Sequence, residues 1–323
     1  GSPTTLCAGC GHNSISSQII TAAFELGLQP EQVIKISGIG CSSKSPAYFM
    51  NKSFSFNSVH GRMPSVASGA MLANRNLVTI GISGDGDTGS IGLGQFKHAM
   101  RRNTPMIYIV ENNGVYGLTK GQFSVTADEG QNLKYYGKND LPPLDLCLEA
   151  IVADCGFVAR SFAGDPKQVR PLLKAAISYD GAALLDIISP CVAFNNTSDS
   201  TKGYDWVKEH DDPLHDINYI PIQEEITTQY DPGDTSTVTL HDGSQILLRK
   251  LDESYDPKDK LGAIQALHNS NSEESLLTGL IYYDPNRPNL IQTENLVESP
   301  LAHLTTDALR PSEDSLSQIM SSL

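Results

Sequence analysis

Short apolar runs alternate with helical periodicities over the first 190 residues. Runs of strand length lie at 33–37 (Val-Ile-Lys-Ile-Ser), 77–83 (Leu-Val-Thr-Ile-Gly-Ile-Ser), 106–110 (Met-Ile-Tyr-Ile-Val), 157–162 and 183–188. Between them, helical spacing recurs. Ile15, Ile19, Ile20, Ala23 and Phe24 share one face over 14–26, and further helices are predicted over 64–73, 91–102, 143–153 and 165–178, the last capped by Asp165. Pro64 suits a first helical turn. Residues 48–58 show no period and read as a loop. The polar stretch 114–137 is a loop long enough to be functional. Strand and helix in alternation predict an α/β fold, a parallel sheet with helices on both faces. The turns after its strands, at 38–41, 84–87, 112–113 and 189–191, should then converge on one edge, where ligands bind.

Beyond Cys191 the texture changes. A short helix is expected at 204–210 and a hairpin over 238–248, because Asp242-Gly243 is a strong turn signal. The rest, to Leu323, reads as an irregular extension that packs on a partner or folds back. The expected division is a binding domain over 1–230 and an acidic C-terminal extension over 231–323. Charge follows the same division. Residues 1–200 hold 15 Lys+Arg against 15 Asp+Glu, and residues 201–323 hold 8 against 22, so the net −14 lies wholly in the last part. That balance argues against a nucleic-acid partner, since phosphates repel carboxylates. Acidic partners should also dock away from the tail. No apolar run approaches the ~20 residues of a membrane span. No secretory leader opens the chain, and its Gly-Ser-Pro start reads as trimmed or as a cloning remnant. A cytoplasmic protein without a membrane partner is expected.

Two turns carry the chemistry. Gly84-Asp85-Gly86-Asp87 follows one strand and Glu111-Asn112-Asn113-Gly114-Val115 follows the next. Asp85 and Asn113 offer hard oxygen atoms, and a helix start after the glycines offers free N–H groups to an anion. Together they suit a divalent cation bridging to a diphosphate. A plain strand-to-helix turn is the simplest alternative. A calcium loop is another, but Phe96 stands where its closing glutamate belongs. Six cysteines in a chain without a leader argue for a metal or redox site over a disulfide framework. Cys7 and Cys10 form a C-x-x-C pair, and Cys41 and Cys191 lie in turns expected at the same edge. Four thiolates there would suit zinc or an iron–sulfur cluster. Cys147 and Cys155 read as buried, inert thiols.

The Gly-Asp-Gly and Asn-Asn motifs, Asp85 and Asn113 being 28 residues apart, resemble the diphosphate-binding motif of thiamine diphosphate enzymes. By that resemblance Asp85 and Asn113 bind Mg²⁺ through their side chains, and Val115 through its carbonyl. Six motifs in order are more specific: Cys-x-Gly-Cys-Gly, Ser-Gly-Ile-Gly-Cys-Ser-Ser, His-Gly-Arg, Gly-Asp-Gly-Asp, Asn-Asn-x-Val-Tyr-Gly-Leu-Thr-Lys-Gly-Gln and Cys-Val-x-Phe-Asn-Asn. They resemble the β subunit of 2-oxoacid:ferredoxin oxidoreductases from Cys7 to about His210. The resemblance implies thiamine diphosphate, Mg²⁺, and a [4Fe–4S] cluster on Cys7, Cys10, Cys41 and Cys191. It implies coenzyme A-dependent decarboxylation of a 2-oxoacid, or the reverse carboxylation, with electrons passing to or from ferredoxin. Gly86 and Asp87 would give N–H groups to the diphosphate. Gly38 and Gly40 would let the backbone approach, and Gly117, Leu118 and Thr119 would lie against the cofactor. His60 would contact cofactor or substrate, and Leu118 would line the substrate pocket. Lys44 would meet the distal carboxylate of a dicarboxylic oxoacid, and with the stretch after Cys191 it resembles the 2-oxoglutarate type more than the pyruvate type.

One part is missing. Thiamine enzymes of this kind use a glutamate on a pyrimidine-binding domain, which the family places on an α subunit. The chain is therefore expected to be inactive alone and to work in a two-fold assembly of αβ pairs. Pyruvate or broad specificity stays open. A non-redox thiamine enzyme would leave the four cysteines idle, and a zinc or electron-transfer module would leave the diphosphate motif idle.

Overall fold

The computed structural model describes residues 3–222, 235–251, 254–272, 275–310 and 312–323. The expected boundary at 230/231 lies outside the described residues. An eight-stranded sheet runs through the molecule. Its strands are β1 (Val33–Ser37), β2 (Phe54–Asn57), β3 (Val78–Gly84), β4 (Met106–Asn112), β5 (Phe157–Phe162), β6 (Ala182–Ile188), β7 (Asp211–Pro213) and β11 (Leu276–Tyr283). The order across the sheet is β7-β11-β5-β6-β4-β3-β1-β2. The pairs among β5, β6, β4, β3, β1 and β2 are all parallel, and β11 runs antiparallel to β5. Strand β8 (His215–Ile220) forms a separate antiparallel sheet with β9 (Thr235–Thr239) and β10 (Gln245–Lys250).

Both faces of the large sheet are covered over its central strands, so those strands are near-continuous apolar runs. In β4, Ile107 and Ile109 face one core with α1 (Gly11–Glu25), α5 (Pro166–Ser178) and the small sheet. Tyr108 and Val110 face the other, with α2 (Met63–Ala73), α3 (Leu93–Arg101), α4 (Leu146–Val152) and α7 (Lys260–Ser272). A short α6 (Tyr204–His210) lies where the 204–210 pattern predicts it. Asp165 caps α5 as expected, Oδ1 accepting from the N–H groups of Lys167 and Gln168 at 3.0 and 3.2 Å.

The expected hairpin is β9–β10, with Val238 opposite Ile246 and Gly243 at φ +84° in the turn. Three elements, β2, α7 and β11, add to the expected pattern. Residues 48–58 contain β2, an exposed edge strand. The C-terminal extension folds back: α7 packs on the sheet, and β11 joins it with all eight residues buried. At roughly 1.5–3 kcal/mol per buried apolar side chain, Leu276, Leu277, Leu280, Ile281, Tyr282 and Tyr283 contribute on the order of 10 kcal/mol. Among the described residues no helix is long and apolar enough to cross a membrane.

β2 lies on one side of β1, and β3 and β4 on the other. The chain thus reverses its winding beside β1, and the crevice past the ends of β1 and β3 is where such sheets bind ligands.

Candidate functional site

Register aligns the strand ends. Ser37 pairs with Ile82, Gly84 with Glu111, and Ile188 with Asn112, so the turns that follow all leave from one edge. A cavity of about 130 Å³ sits there. Of the residues expected around the cofactor, Gly40, His60, Asp85, Gly86, Asp87, Asn113, Val115, Gly117, Leu118 and Thr119 line it, as does Cys41. Gly38 and Lys44 do not. His60 and Leu118 are exposed at the cavity, and Lys44 is half-buried near Cys41, whose thiol burial pushes up and the Lys44 ammonium only partly pulls back.

Asp85 is buried and heavily hydrogen-bonded. Oδ1 accepts from the Asn113 N–H at 3.2 Å; Oδ2 accepts from the Gly114 N–H at 3.1 Å, the Thr126 hydroxyl at 2.7 Å and the Ser124 hydroxyl. Burial pushes its carboxyl up, and the two hydroxyls pull it back. Asn113 Oδ1 accepts from the Val115 N–H at 3.1 Å, and the Asn113 carbonyl accepts from Asn195 Nδ2 at 2.8 Å. Asp85 Oδ1 and Asn113 Oδ1 therefore each take one hydrogen bond and keep a lone pair for a hard cation.

Asp87 does something the sequence reading did not ask of it. Its carboxylate accepts from the Gly61 N–H at 2.8 Å, the Ser83 hydroxyl at 2.8 Å and the Ile39 N–H at 3.2 Å. It fastens the turn after β1 and the entry to α2 onto the end of β3. Gly38 is explained by the same contact, because a Cβ there would fall on Asp87 Oδ2 and Ser83 Oγ. At Gly86 a Cβ would stand 2.5 Å from the ring of Tyr116, whose hydroxyl donates to the Gly86 carbonyl at 3.0 Å. The turn after β3 is thus fixed from both sides before its backbone meets any ligand.

The four thiols share one corner. A Cβ on Gly117 would stand 3.4 Å from Cys41 Sγ and 3.5 Å from Cys191 Sγ, and one on Gly9 would stand 3.6 Å from Val192. Burial pushes the Cys10 thiol up to about 12, with the thiols of Cys41 and Cys191 adding to it. Burial also raises Cys41 and Cys191, and the Cys7 thiol bears on both. Cys7 is exposed. Cys147 and Cys155 are fully buried in the core, as expected.

Sequence reasoning missed a buried polar knot behind this corner. His12, Ser45, Glu111 and Ser189 are each at most 1% exposed. His12 Nδ1 lies 2.5 Å from Ser189 Oγ and 3.6 Å from Glu111 Oε2, and the Ser45 hydroxyl donates to both Glu111 oxygens at 2.9 Å. Burial lowers His12 to about 4 and raises Glu111 well above its usual range. Each of the four lies within four residues of Cys10, Cys41, Asn113 or Cys191. Lys35 is the other omission. Its buried ammonium donates to the carbonyls of Pro46, Phe49 and Met50 at 2.7, 2.8 and 3.2 Å, holding the segment after Cys41 against β1. The available signal was a charge inside an apolar strand: Val-Ile-Lys-Ile, and Ile-Tyr-Ile-Val-Glu.

Comparison with known proteins points to a family. The C-terminal TPP binding domain of thiamine pyrophosphate enzymes matches residues 38–187. The 2-oxoacid:ferredoxin oxidoreductase subunit beta of Saccharolobus solfataricus is 42% identical over 194 residues, 59% of this chain and 63% of that protein. The match therefore spans just under two thirds of that relative's length. The 2-oxoglutarate synthase subunit KorB of Methanocaldococcus jannaschii is 35% identical over 59% of this chain and 71% of its own length. Among solved structures, the 2-oxoglutarate:ferredoxin oxidoreductase of Magnetococcus marinus, with 2-oxoglutarate, coenzyme A and succinyl-CoA bound, aligns at a TM-score of 0.76 and 29% identity. That alignment covers 99% of this chain, including the folded-back extension, and 92% of the other. With relatives this similar along most of their length and one shared fold, the chain belongs to the β-subunit family of 2-oxoacid:ferredoxin oxidoreductases.

Proposed function

We propose that the chain is the β subunit of a 2-oxoglutarate:ferredoxin oxidoreductase. It would hold thiamine diphosphate, Mg²⁺ and a [4Fe–4S] cluster, and act with an α subunit, coenzyme A and ferredoxin, in either direction. The observation that carries this reading is the meeting, at one sheet edge, of the Asp85–Asn113 oxygen pair with the thiols of Cys7, Cys10, Cys41 and Cys191.

The donor sets fit the groups. Magnesium takes hard oxygens and is commonly held by one or two carboxylates plus substrate phosphates. Asp85 Oδ1, Asn113 Oδ1 and the Val115 carbonyl would supply the protein's share. Among the described residues no three His, Cys, Asp or Glu side chains gather to hold a single ion. Magnesium on one carboxylate does not need three, and a four-iron cluster spreads its four thiolates over separate irons. Burial is the main cause that raises the thiols of Cys10, Cys41 and Cys191, and iron would supply the positive charge that buried thiolates need. Thiamine diphosphate would supply the electron sink for decarboxylation, and the cluster one-electron transfer.

This chain's residues would bind and orient. The N–H groups of the turn at Gly86 and Asp87 would take the diphosphate, as helix starts do. A cavity of about 130 Å³ has room for the diphosphate end and not for a whole cofactor, since drug-sized ligands occupy ~300 Å³ or more. The remainder would lie against the α subunit, which would carry the activating glutamate. His60 and Leu118 would border the reacting end, and Lys44 would reach the distal carboxylate. The general 2-oxoacid name of the relatives at 42% identity favours broad specificity as the second reading. The test is kcat/KM of the anaerobically purified αβ assembly for 2-oxoglutarate and pyruvate. A preference for 2-oxoglutarate is expected, with Lys44→Ala lowering it about 100-fold and sparing pyruvate, the worth of one charged contact. Equal or better use of pyruvate would refute the 2-oxoglutarate assignment.

A further inference from the structure

One buried residue outside the two turns at Asp85 and Asn113 reaches across from the thiol corner to the oxygen pair. β6 ends at Ile188, and the Ser189 N–H still pairs with the Asn112 carbonyl at 2.7 Å, so the chain leaves the sheet beside the end of β4. It then folds into a tight turn in which the Asn195 N–H donates to the Cys191 carbonyl at 2.9 Å. Cys191 and Asn195 form an isolated antiparallel bridge there. Asn195 is fully buried. Its Nδ2 donates to the Asn113 carbonyl at 2.8 Å, and its Oδ1 accepts from Gln131 Nε2.

The peptide between Asn113 and Gly114 is thereby held at both ends. Its carbonyl takes Asn195, and its N–H donates to Asp85 Oδ2 at 3.1 Å. A peptide unit is planar, so pinning both ends fixes ψ of Asn113 and φ of Gly114, the torsions that lead on to Val115. Gly114 lets Asn195 approach: its φ is +72°, and a Cβ there would stand 2.8 Å from Asn195 Nδ2. The polarity of the contact follows from the Asn113 carbonyl, which only accepts. Asn195 must turn its nitrogen to Asn113 and its oxygen to Gln131, so Gln131 must donate. Gln131 Oε1 is then left buried without a partner among the described residues. An unpaired buried acceptor is costly, and the chain carries that cost where it secures the Asn195 amide.

We propose that Asn195, secured by Gln131, is the positioning residue that gives the cation site its geometry and its selectivity for Mg²⁺ over Ca²⁺. The inference rests on the reading that Asp85, Asn113 and Val115 hold the divalent ion. Asn195 acts through the main chain: it touches the Asn113 carbonyl and not the Asn113 side-chain oxygen. Mg²⁺ demands near-ideal octahedral geometry, whereas Ca²⁺ accepts irregular sites with longer bonds. A site in which the Asn113 and Val115 donors can drift therefore loses Mg²⁺ more than Ca²⁺. A variant that merely folds less well loses both alike.

The test measures Mn²⁺ binding by EPR in the αβ assembly with thiamine diphosphate present, and the Kd of Mg²⁺ and of Ca²⁺ by their displacement of Mn²⁺. Removing an outer-shell partner of a metal ligand typically costs ~10–100-fold in affinity, so Asn195→Ala should raise the Mg²⁺ Kd about tenfold. The Ca²⁺ Kd should rise less than about threefold, so selectivity falls. Gln131→Leu should shift selectivity the same way by about threefold and add nothing to Asn195→Ala in the double variant, since it acts only through that amide. A Mg²⁺ Kd within twofold of the parent in Asn195→Ala would overturn the proposal. So would equal weakening of Mg²⁺ and Ca²⁺. Should Asn195→Ala fail to assemble, parental selectivity in Gln131→Leu would overturn it. Asp85→Asn separates the two levels: Mn²⁺ binding unchanged there would overturn the underlying metal reading, and this proposal with it.

Discussion

Replacing Asp87 by asparagine is the sharpest structural perturbation of the site. The native carboxylate is 3% exposed and receives three donors: two backbone N–H groups and one hydroxyl. The isosteric amide keeps one oxygen and turns an NH₂ toward at least one of those donors. Hydrogen bonds to a charged group are worth roughly 1.5–3 kcal/mol, and a buried donor left unpaired costs about 1–3 kcal/mol. Their losses overlap, so Asp87→Asn should cost about 2–4 kcal/mol. For a chain of this size that lowers Tm by about 3–6 °C. Because the same carboxylate ties three site turns together, affinity for thiamine diphosphate should fall with it. Differential scanning calorimetry and a circular dichroism titration with thiamine diphosphate and Mg²⁺ read the two effects. A variant melting within about 2 °C of the parent would refute the argument that Asp87 braces the turns.

Three further outcomes follow from the packing. Gly38→Ala should lower stability by a similar ~2–4 kcal/mol, because its Cβ would displace the Asp87 carboxylate from its donors, and urea denaturation checks this. His215 is buried with both ring nitrogens unpartnered, and burial lowers it from 6.5 to about 4. A depressed pKa means its neutral form is the stable one: stability is complete above pH 6.5 and declines by about 3 kcal/mol as pH falls toward 4. Urea midpoints at pH 7.5 and 5 should show that decline, and His215→Leu should flatten it. Removing residues 305–323, all exposed where described, should change stability by less than about 1 kcal/mol, whereas removal from residue 276 takes out β11 and should unfold the chain.

Much of the fold was readable because burial on both sheet faces makes parallel strands near-continuous apolar runs. β1 and β5 lie where those runs predict, and α5 starts behind its cap. β2 was not readable: its Phe54 and Phe56 are exposed on a short edge, so no burial pattern marks it. α7 was missed because polar residues interrupt its apolar spacing, and the Leu-Leu-Thr-Gly-Leu-Ile-Tyr-Tyr run of β11 was overlooked inside a stretch of Ser and Asn. At the site, residue types and spacing pointed to which turns meet. They could not show that Asp87 turns its carboxylate inward as a brace, nor that His12, Ser45, Glu111 and Ser189 interlock, because those are partnerships across 26 to 177 residues of chain. Gly38 illustrates the same limit. Its lack of a side chain is required by the Asp87 and Ser83 side chains, which occupy the space a Cβ would need.

The proposed function joins thiamine, cluster and 2-oxoglutarate in one site. The first experiment is the anaerobic visible absorption and EPR spectrum of the chain purified with its α partner, before and after 2-oxoglutarate and coenzyme A are added. A broad band near ~400 nm should bleach, and a reduced-cluster EPR signal should appear, on addition of both. An intact anaerobic preparation with no visible chromophore, or one that 2-oxoglutarate leaves unchanged, would contradict the proposed function.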